Sequence, residues 1–494
     1  MEHHQTPFGE TLDTGTAQPS HLPQHGGRSS SVLVIAALLL VVAMAVLQRP
    51  SLTGGAGKGG GAGDAAALAM EHNSTLDLLG PVYFALNQFG AGAGGGLGAQ
   101  SLKLMDGFAE TSADRLRLAV FAAETIGSEA GEERLQEVRA EANTWPEGEG
   151  KEVVLAHVDR LSTLYAGGGE ALTAEDRERL NADLGWFGQI ALTHGQADTE
   201  PARAALIARA QLLAVLLTVG GLGLLGAVLL GVALLVVFLV MIGRRRVTAR
   251  PAPRVDSPAM LEMLVLLLVG MLGVKLAAMA MKSVFGLDDS VIGLATLGLQ
   301  WSLALVVLWP VFRGGDAETR RRNMGWHRGE GVLKEVGAGV CGWLAGLPVM
   351  IACALFSLLL MKVIEHVTGR PGPPAPENPV LDMAAATGLL EMILLTSLVV
   401  IWAPVVEETV FRGGLFSWLR ARGGFLIAAV VSAFVFAIIH RYPLPLLPPI
   451  LALGFIFACL REWRGSLIAP VTAHFCQNAM AFTVLMILTR VAGM

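Results

Sequence analysis

QLLAVLLTVGGLGLLGAVLLGVALLVVFLVMI, residues 211–242, runs for 32 positions without a charged side chain. About 20 apolar residues in a helix cross the hydrocarbon of a bilayer, so this stretch is long enough to span one while tilted, or while broken at Gly220–Gly221. Lipid offers the backbone no hydrogen bonds, so the spanning structure is a helix or a closed barrel. Similar apolar runs recur near 259–281, 289–311, 332–362, 383–405, 424–440, 446–460 and 467–490, and one precedes them, SVLVIAALLLVVAMAVL at 31–47. The expected fold is all-α: a polytopic helical membrane protein of about nine spans.

Composition agrees. Of the 494 residues 53% are hydrophobic and 16% charged, against about 25% charged in soluble proteins. The 59 glycines and 23 prolines follow no triplet period, which excludes collagen. A net charge of -5 gives no support for a nucleic-acid partner. The four cysteines, Cys341, Cys353, Cys459 and Cys476, lie in apolar runs at spacings that fit neither a disulfide framework nor a zinc knuckle.

Arginines orient the chain. Arg244–Arg246 follow the second run, Arg320–Arg322 the fourth, Arg412, Arg420 and Arg422 the sixth, and Arg461 and Arg464 the eighth. Positive loops mark the cytoplasmic side, so the N-terminus is expected inside a bacterial plasma membrane. Residues 1–30 are polar and aperiodic, a disordered cytoplasmic tail. The run at 31–48 reads as a retained first transmembrane helix rather than a signal-peptide core, because its leader is long and mildly acidic.

The segment 51–205 is then expected outside. It opens with a Gly/Ala-rich linker, and residues 70–205 carry enough Leu, Val and Phe for a small helical domain. From 51 to 200 it holds 23 acidic against 10 basic side chains. Its His72, His157 and His194 belong to no metal-ligand motif. An extracytoplasmic partner, sensing, and a lid over the membrane part are open readings. Residues 211–242 form the second transmembrane helix, 259–380 the third to fifth with their loops, and 383–490 the C-terminal membrane domain.

Ionisable side chains inside hydrocarbon are costly and tend to mark function. They occur at three places: APVVEETVFRGG (403–414), AFVFAIIH (433–440) and SLIAPVTAHFCQNAMAF (466–482). Glu408 and Arg412 are i,i+4 and can pair; Glu407 sits about 100° round the helix. Phe436 and His440 share a face, as do His474 and Asn478. With a turn at Gly423–Gly424, Glu407 and His440 lie equally far from it and should reach one depth. His474 fits that depth less well, unless the hairpin protrudes or the helix breaks at Gly413–Gly414.

Taken singly, each set has a plain reading: a helix-end charge cluster for Glu407–Glu408, an interfacial residue for His440. Together they make a hydrolytic site. A Glu with a His can deprotonate water, and a His with an Asn can donate to an oxyanion. Alternatively Glu407, His440 and His474 could ligate a divalent metal such as zinc, with water in the fourth position. No HExxH, G-x-S-x-G or P-loop occurs. Other readings from different classes are a proton path in a transporter and a non-enzymatic binding or immunity scaffold.

These motifs resemble the CPBP family of intramembrane proteases, the CAAX-processing and bacteriocin-processing group also called Abi. The family pattern is EExxxR, FxxxH and HxxxN or HxxxD, met here by Glu407-Glu408 to Arg412, Phe436 to His440, and His474 to Asn478. Phe411-Arg412-Gly413 and Gly465-Ser466-Leu467 extend the likeness, which covers about 385–490. The resemblance implies an endopeptidase in which Glu407 and His440 activate water and His474 and Asn478 stabilise the oxyanion. Glu408, Arg412 and Phe436 support the site structurally. It implies membrane-protein or lipid-modified peptide substrates within the bilayer, and leaves open whether a metal is needed.

Overall fold

The computed structural model describes residues 32–33, 36, 74–91, 97–109, 111–247, 257–369, 388–440 and 442–487. The tail, the linker and nearly all of the first apolar run lie outside the described residues. Among those described the regular structure is helical throughout.

Seven helices build the amino-terminal domain: α1 (Ser74–Ala91), α2 (Gly98–Met105), α3 (Ser112–Thr125), α4 (Ser128–Asn143), α5 (Glu149–Gly167), α6 (Ala174–Leu184) and α7 (Trp186–Leu192). Local chemistry fixes where two of them begin. Thr111 with Asp114, and Thr173 with Asp176, form reciprocal capping boxes at the starts of α3 and α6, each satisfying backbone N–H groups that a helix start leaves open. Phe84, Leu116, Phe121, Val158, Leu161 and Phe187 meet in the core. Arg117 is buried there, and its guanidinium donates to Asp77 and to the carbonyl of Asp183.

The next helix, α8 (Pro201–Gly243), starts in that domain and ends as the long apolar run. Its Ile207, Ala210 and Ala214 belong to the domain core. The boundary expected between residues 205 and 211 therefore falls inside one helix, and α8 passes through Gly220–Gly221 without the break that was considered. A helical glycine costs about 1 kcal/mol relative to alanine. Breaking the helix in lipid would leave several backbone groups unpaired, which costs more.

The membrane part comprises α9 (Ala259–Ser283), α10 (Asp289–Phe312, with a 3-10 stretch at Leu303–Leu308), the short α11 (Ala317–Met324), α12 (Val332–Thr368), α13 (Leu389–Arg420), α14 (Phe425–Ile438), α15 (Pro448–Arg464) and α16 (Ile468–Ile487). Among the described residues five helices are long and apolar enough to cross a membrane: α8, α9, α10, α12 and α13. The chain is a polytopic helical membrane protein. Helix α14 has only 14 residues, about 21 Å at 1.5 Å per residue, short of a hydrocarbon core about 30 Å thick.

Two features shape the surroundings of the motifs. Helix α13 changes to π-helical winding at Leu398–Trp402 and again at Thr409–Phe416. Helix α12 packs on α8, α15 and α16, and is tied to α15 by buried Glu335, whose carboxylate takes two hydrogen bonds from Arg464 at 2.8 and 3.1 Å. Glu391 accepts the Gly388 N–H at the start of α13. The four cysteines are unpaired thiols.

Candidate active site

The EExxxR segment lies where α13 passes from α-helical into π-helical winding. Residues 403–408 are α-helical and 409–416 are not. A π turn widens the helix and leaves carbonyls free for side chains. Here the Ser417 hydroxyl donates to the carbonyl of Arg412 at 3.0 Å, and the Ser432 hydroxyl to that of Phe411 at 3.3 Å. The glycines of the FRGG run permit close neighbours. A Cβ on Gly413 would lie 3.0 Å from the Met324 carbonyl, and one on Gly414 3.0 Å from that of Met260. The break considered at Gly413–Gly414 is thus a change of winding within a continuous helix.

Glu408 and Arg412 are both fully buried and pair at 2.9 Å. A second guanidinium nitrogen of Arg412 donates to the carbonyl of Gly454 on α15 at 2.9 Å. The guanidinium lies 4.4 Å from the ring centre of Phe436 and 5.1 Å from that of Phe457, an arrangement that stabilises a cation away from water. His474, on α16, presents Nδ1 to the same Glu408 oxygen at 3.1 Å. Its ring stacks on Phe457 at 4.9 Å between centres, 25° from parallel. One carboxylate therefore holds the arginine and the imidazole.

A carboxylate oxygen only accepts, so the Nδ1 facing Glu408 carries the proton. Nε2 is then turned away from Glu408 and lies 3.9 Å from Glu407 Oε2. That distance is too long for a direct hydrogen bond. Glu407 Oε2 is buried and has no hydrogen-bond partner among the described residues, and neither has Glu408 Oε2. The Glu407 side chain keeps 17% of its surface accessible, against 0% for Glu408.

His440 and Asn478 make their hydrogen bonds to backbone carbonyls. His440 follows the end of α14, and its Nδ1–H donates to the Phe436 carbonyl at 2.6 Å. Its ring sits 4.6 Å from that of Phe436, which also meets His474 at 5.9 Å. Among the described residues no hydrogen bond or ion pair joins Glu407 to His440. Equal spacing from Gly423–Gly424 assumed regular helices on both sides, whereas α13 is π-wound and α14 stops at Ile438. Asn478 donates its amide to the carbonyl of Val399 at 2.8 Å, inside the first π stretch. One amide hydrogen remains for other work.

Among the described residues no three His, Cys, Asp or Glu side chains come together closely enough to hold an ion, and with His474 Nδ1 engaged by Glu408 it is Nε2 that a metal could use. No step below is routed through a metal.

Other residues that build the site carry little signal in the sequence. Gly454 exposes the carbonyl that Arg412 uses, and a Cβ there would lie 3.0 Å from the Ala433 backbone. Phe457 reads as one more apolar residue of a span. Arg461 and Arg464, which read as loop cations, are largely buried and structural: Arg461 donates to the carbonyls of Gly465 and Asn323. Ser466 of the Gly-Ser-Leu motif donates to the His327 carbonyl at 2.8 Å, fixing the loop before α12 to the start of α16.

Comparison with known proteins bears on the same segment. Residues 389–480 match the family described as type II CAAX prenyl endopeptidase Rce1-like. Over 183 residues the chain is 30% identical to the Bacillus subtilis (strain 168) protein named "Putative membrane peptidase YdiL", spanning 37% of this chain and 67% of that protein. The chain belongs to the CPBP family, the Rce1-like CAAX proteases. No solved structure matches it. The family match begins with the first residue of α13 and takes in all three motifs, so membership supports a peptidase seated in α13–α16. It leaves the amino-terminal domain of this CPBP protein outside the matched segment.

Proposed function

We propose that this CPBP protein is an intramembrane endopeptidase that cleaves membrane-associated protein or peptide substrates, CAAX-type C-terminal processing included, with Glu407 as general base. The single observation that carries the mechanism is the 3.9 Å separation between Glu407 Oε2 and His474 Nε2. Both atoms are acceptors when Glu407 is ionised and His474 is the neutral Nδ1–H tautomer. A water about 2.8 Å from each can donate one hydrogen to either. The buried Glu408–Arg412 pair is what supports that tautomer.

In the reaction Glu407 takes one water proton as the oxygen attacks the scissile carbonyl carbon, and returns it to the departing amine as the C–N bond breaks. The free amide hydrogen of Asn478 is the candidate donor to the oxyanion. His440, with Nδ1–H fixed on Phe436, offers Nε2 as an acceptor at the edge of the site. Water must reach this centre. The brevity of α14 supports such access, since irregular backbone at membrane depth is tolerated where it is buried in protein or lines a water-filled cavity. The arginine pattern favours a cytoplasmic N-terminus in a bacterial plasma membrane, carried by Arg244–Arg246 and Arg320–Arg322, since Arg461 and Arg464 have structural partners.

Wild type and Glu407→Gln, expressed at equal levels, should differ in the protein ends found by mass spectrometry of membrane and secreted fractions. Ends present only with wild type are expected, and they name the substrate and its cleavage position. A folded Glu407→Gln protein that generates the same ends at the same rate overturns the mechanism.

A further inference from the structure

A second constellation of reactive side chains lies in the amino-terminal domain, outside the matched segment. Ser128 is the first residue of α4, and its Oγ lies 3.2 Å from His194 Nε2. His194 Nδ1 lies 2.7 Å from Oε1 of Glu124. The carboxylate of Glu124 is buried, with 2% of the side chain accessible, whereas His194 keeps 25%. Glu124 Oε2 takes a hydrogen bond from Arg203 at 3.0 Å, and Arg203 is itself held by Asp198 at 2.8 Å. The ring of Tyr165 meets His194 edge-on at 4.8 Å. The sequence shows three dispersed positions, 124, 128 and 194; the fold brings them together.

The chemistry of the chain Glu124–His194–Ser128 is directional. The carboxylate can only accept, so Nδ1 carries the proton and Nε2 faces the serine hydroxyl with its lone pair. This is the nucleophile, base and orienting-acid arrangement that recurs on unrelated folds. The position of Ser128 adds the remaining part. Gly127 has φ +142°, a conformation open to glycine, and turns the chain abruptly into α4. The backbone N–H groups of Ser128 and Glu129 open that helix, and among the described residues neither has a hydrogen-bond partner. An N–H on the residue after a nucleophilic serine, at a helix start, is the donor an acyl-transfer oxyanion needs.

We propose that the amino-terminal domain carries a second, serine-hydrolase site that cleaves carboxylic esters, with Ser128 as nucleophile, His194 as base and Glu124 orienting it. Ser128 Oγ bonds to the ester carbonyl carbon while its proton passes to His194 Nε2. The C–O bond then breaks and the alcohol leaves with that proton. Water attacks the acyl-serine, giving its proton to Nε2, which returns it to Oγ as the carboxylic acid departs. An acyl chain suits the surroundings. Ile126, two residues before the nucleophile, is 46% exposed, and Arg203 lies on α8 only eight residues before the apolar run at 211, about 12 Å along the helix.

The test uses the full chain purified in detergent and a fluorophosphonate probe, which labels activated serines. Wild type and Glu407→Gln should label equally, which separates this site from the membrane centre. Ser128→Ala should lose the label while keeping the wild-type thermal midpoint. Hydrolysis of a p-nitrophenyl acyl ester should fall by roughly six orders of magnitude in Ser128→Ala, as when a triad nucleophile is removed. Because His194 also supports the domain, Glu124→Gln serves as the second variant and should slow labelling without abolishing it. Absence of label on folded wild type, or label that persists in Ser128→Ala, overturns the proposal and leaves the trio as a structural tie between α3, α4 and the turn after α7.

Discussion

Arg412 is the cation on which the buried carboxylate of Glu408 depends. Breaking a buried ion pair by removing one partner leaves an uncompensated charge and costs about 3–5 kcal/mol. Arg412→Ala should therefore lower the thermal midpoint of the purified protein as well as its cleavage rate. Wild-type values of both would refute a structural role for the pair. The residues of this pair were legible in sequence because acids and bases are scarce in apolar runs, and because i,i+4 spacing predicts the contact. Gly454 and Phe457 were not legible. A glycine and a phenylalanine are ordinary in a span, and their roles come from long-range placement beside Arg412. Counting residues from a turn assumes a uniform rise, which the π stretches of α13 do not keep.

Helix α13 departs from uniform winding twice, and each departure has a side chain seated on it. Asn478 donates to Val399 within the first π stretch, and Ser417 and Ser432 serve carbonyls of the second. Asn478→Ala removes a hydrogen bond between α16 and that first stretch. Loss of a buried hydrogen bond that strands its acceptor costs about 1–3 kcal/mol. Asn478→Ala should lower stability by that order, and amide exchange across residues 398–402 should quicken relative to wild type. Unchanged exchange there would assign Asn478 to the substrate alone. Helices, their order and the hairpin turn near Gly423–Gly424 were legible from hydropathy and glycine placement. The π stretches were not, because the winding is decided by which side chains reach the freed carbonyls from other helices.

The molecule as a whole joins an acidic helical domain to a membrane bundle, and the domain carries groups that link its stability to pH. In the domain, burial lowers the pKa of His157 below its ordinary value, against the opposing pull of Asp183 3.0 Å away. A histidine depressed in the folded state binds fewer protons than in the unfolded chain. Its contribution is complete above the unfolded value of about 6.5 and is lost as pH falls through that value towards the folded one. Asp176 acts at lower pH in the same sense. The Thr173 hydroxyl and Arg160 hold its carboxyl down at about 2, so its contribution fades as pH falls from the ordinary aspartate range towards 2. Hydrogen exchange in α5, which carries His157, should quicken between pH 7.5 and 5 in the intact protein. Equal protection at both values would contradict the direction of the His157 shift.

The unbroken passage of α8 from the domain core to residue 243 has a consequence for orientation. A single stiff rod transmits torsion as well as length, so the compass bearing of the domain over the bundle is set by helical phase. One residue inserted among Gly220–Gly226 would swing the domain by about 100° and lift it by 1.5 Å. Seven would restore the bearing to within about 20° while raising the domain by roughly 10 Å. Bearing and height are thus separately adjustable in this chain, and a process that couples the two halves will declare which of them it reads.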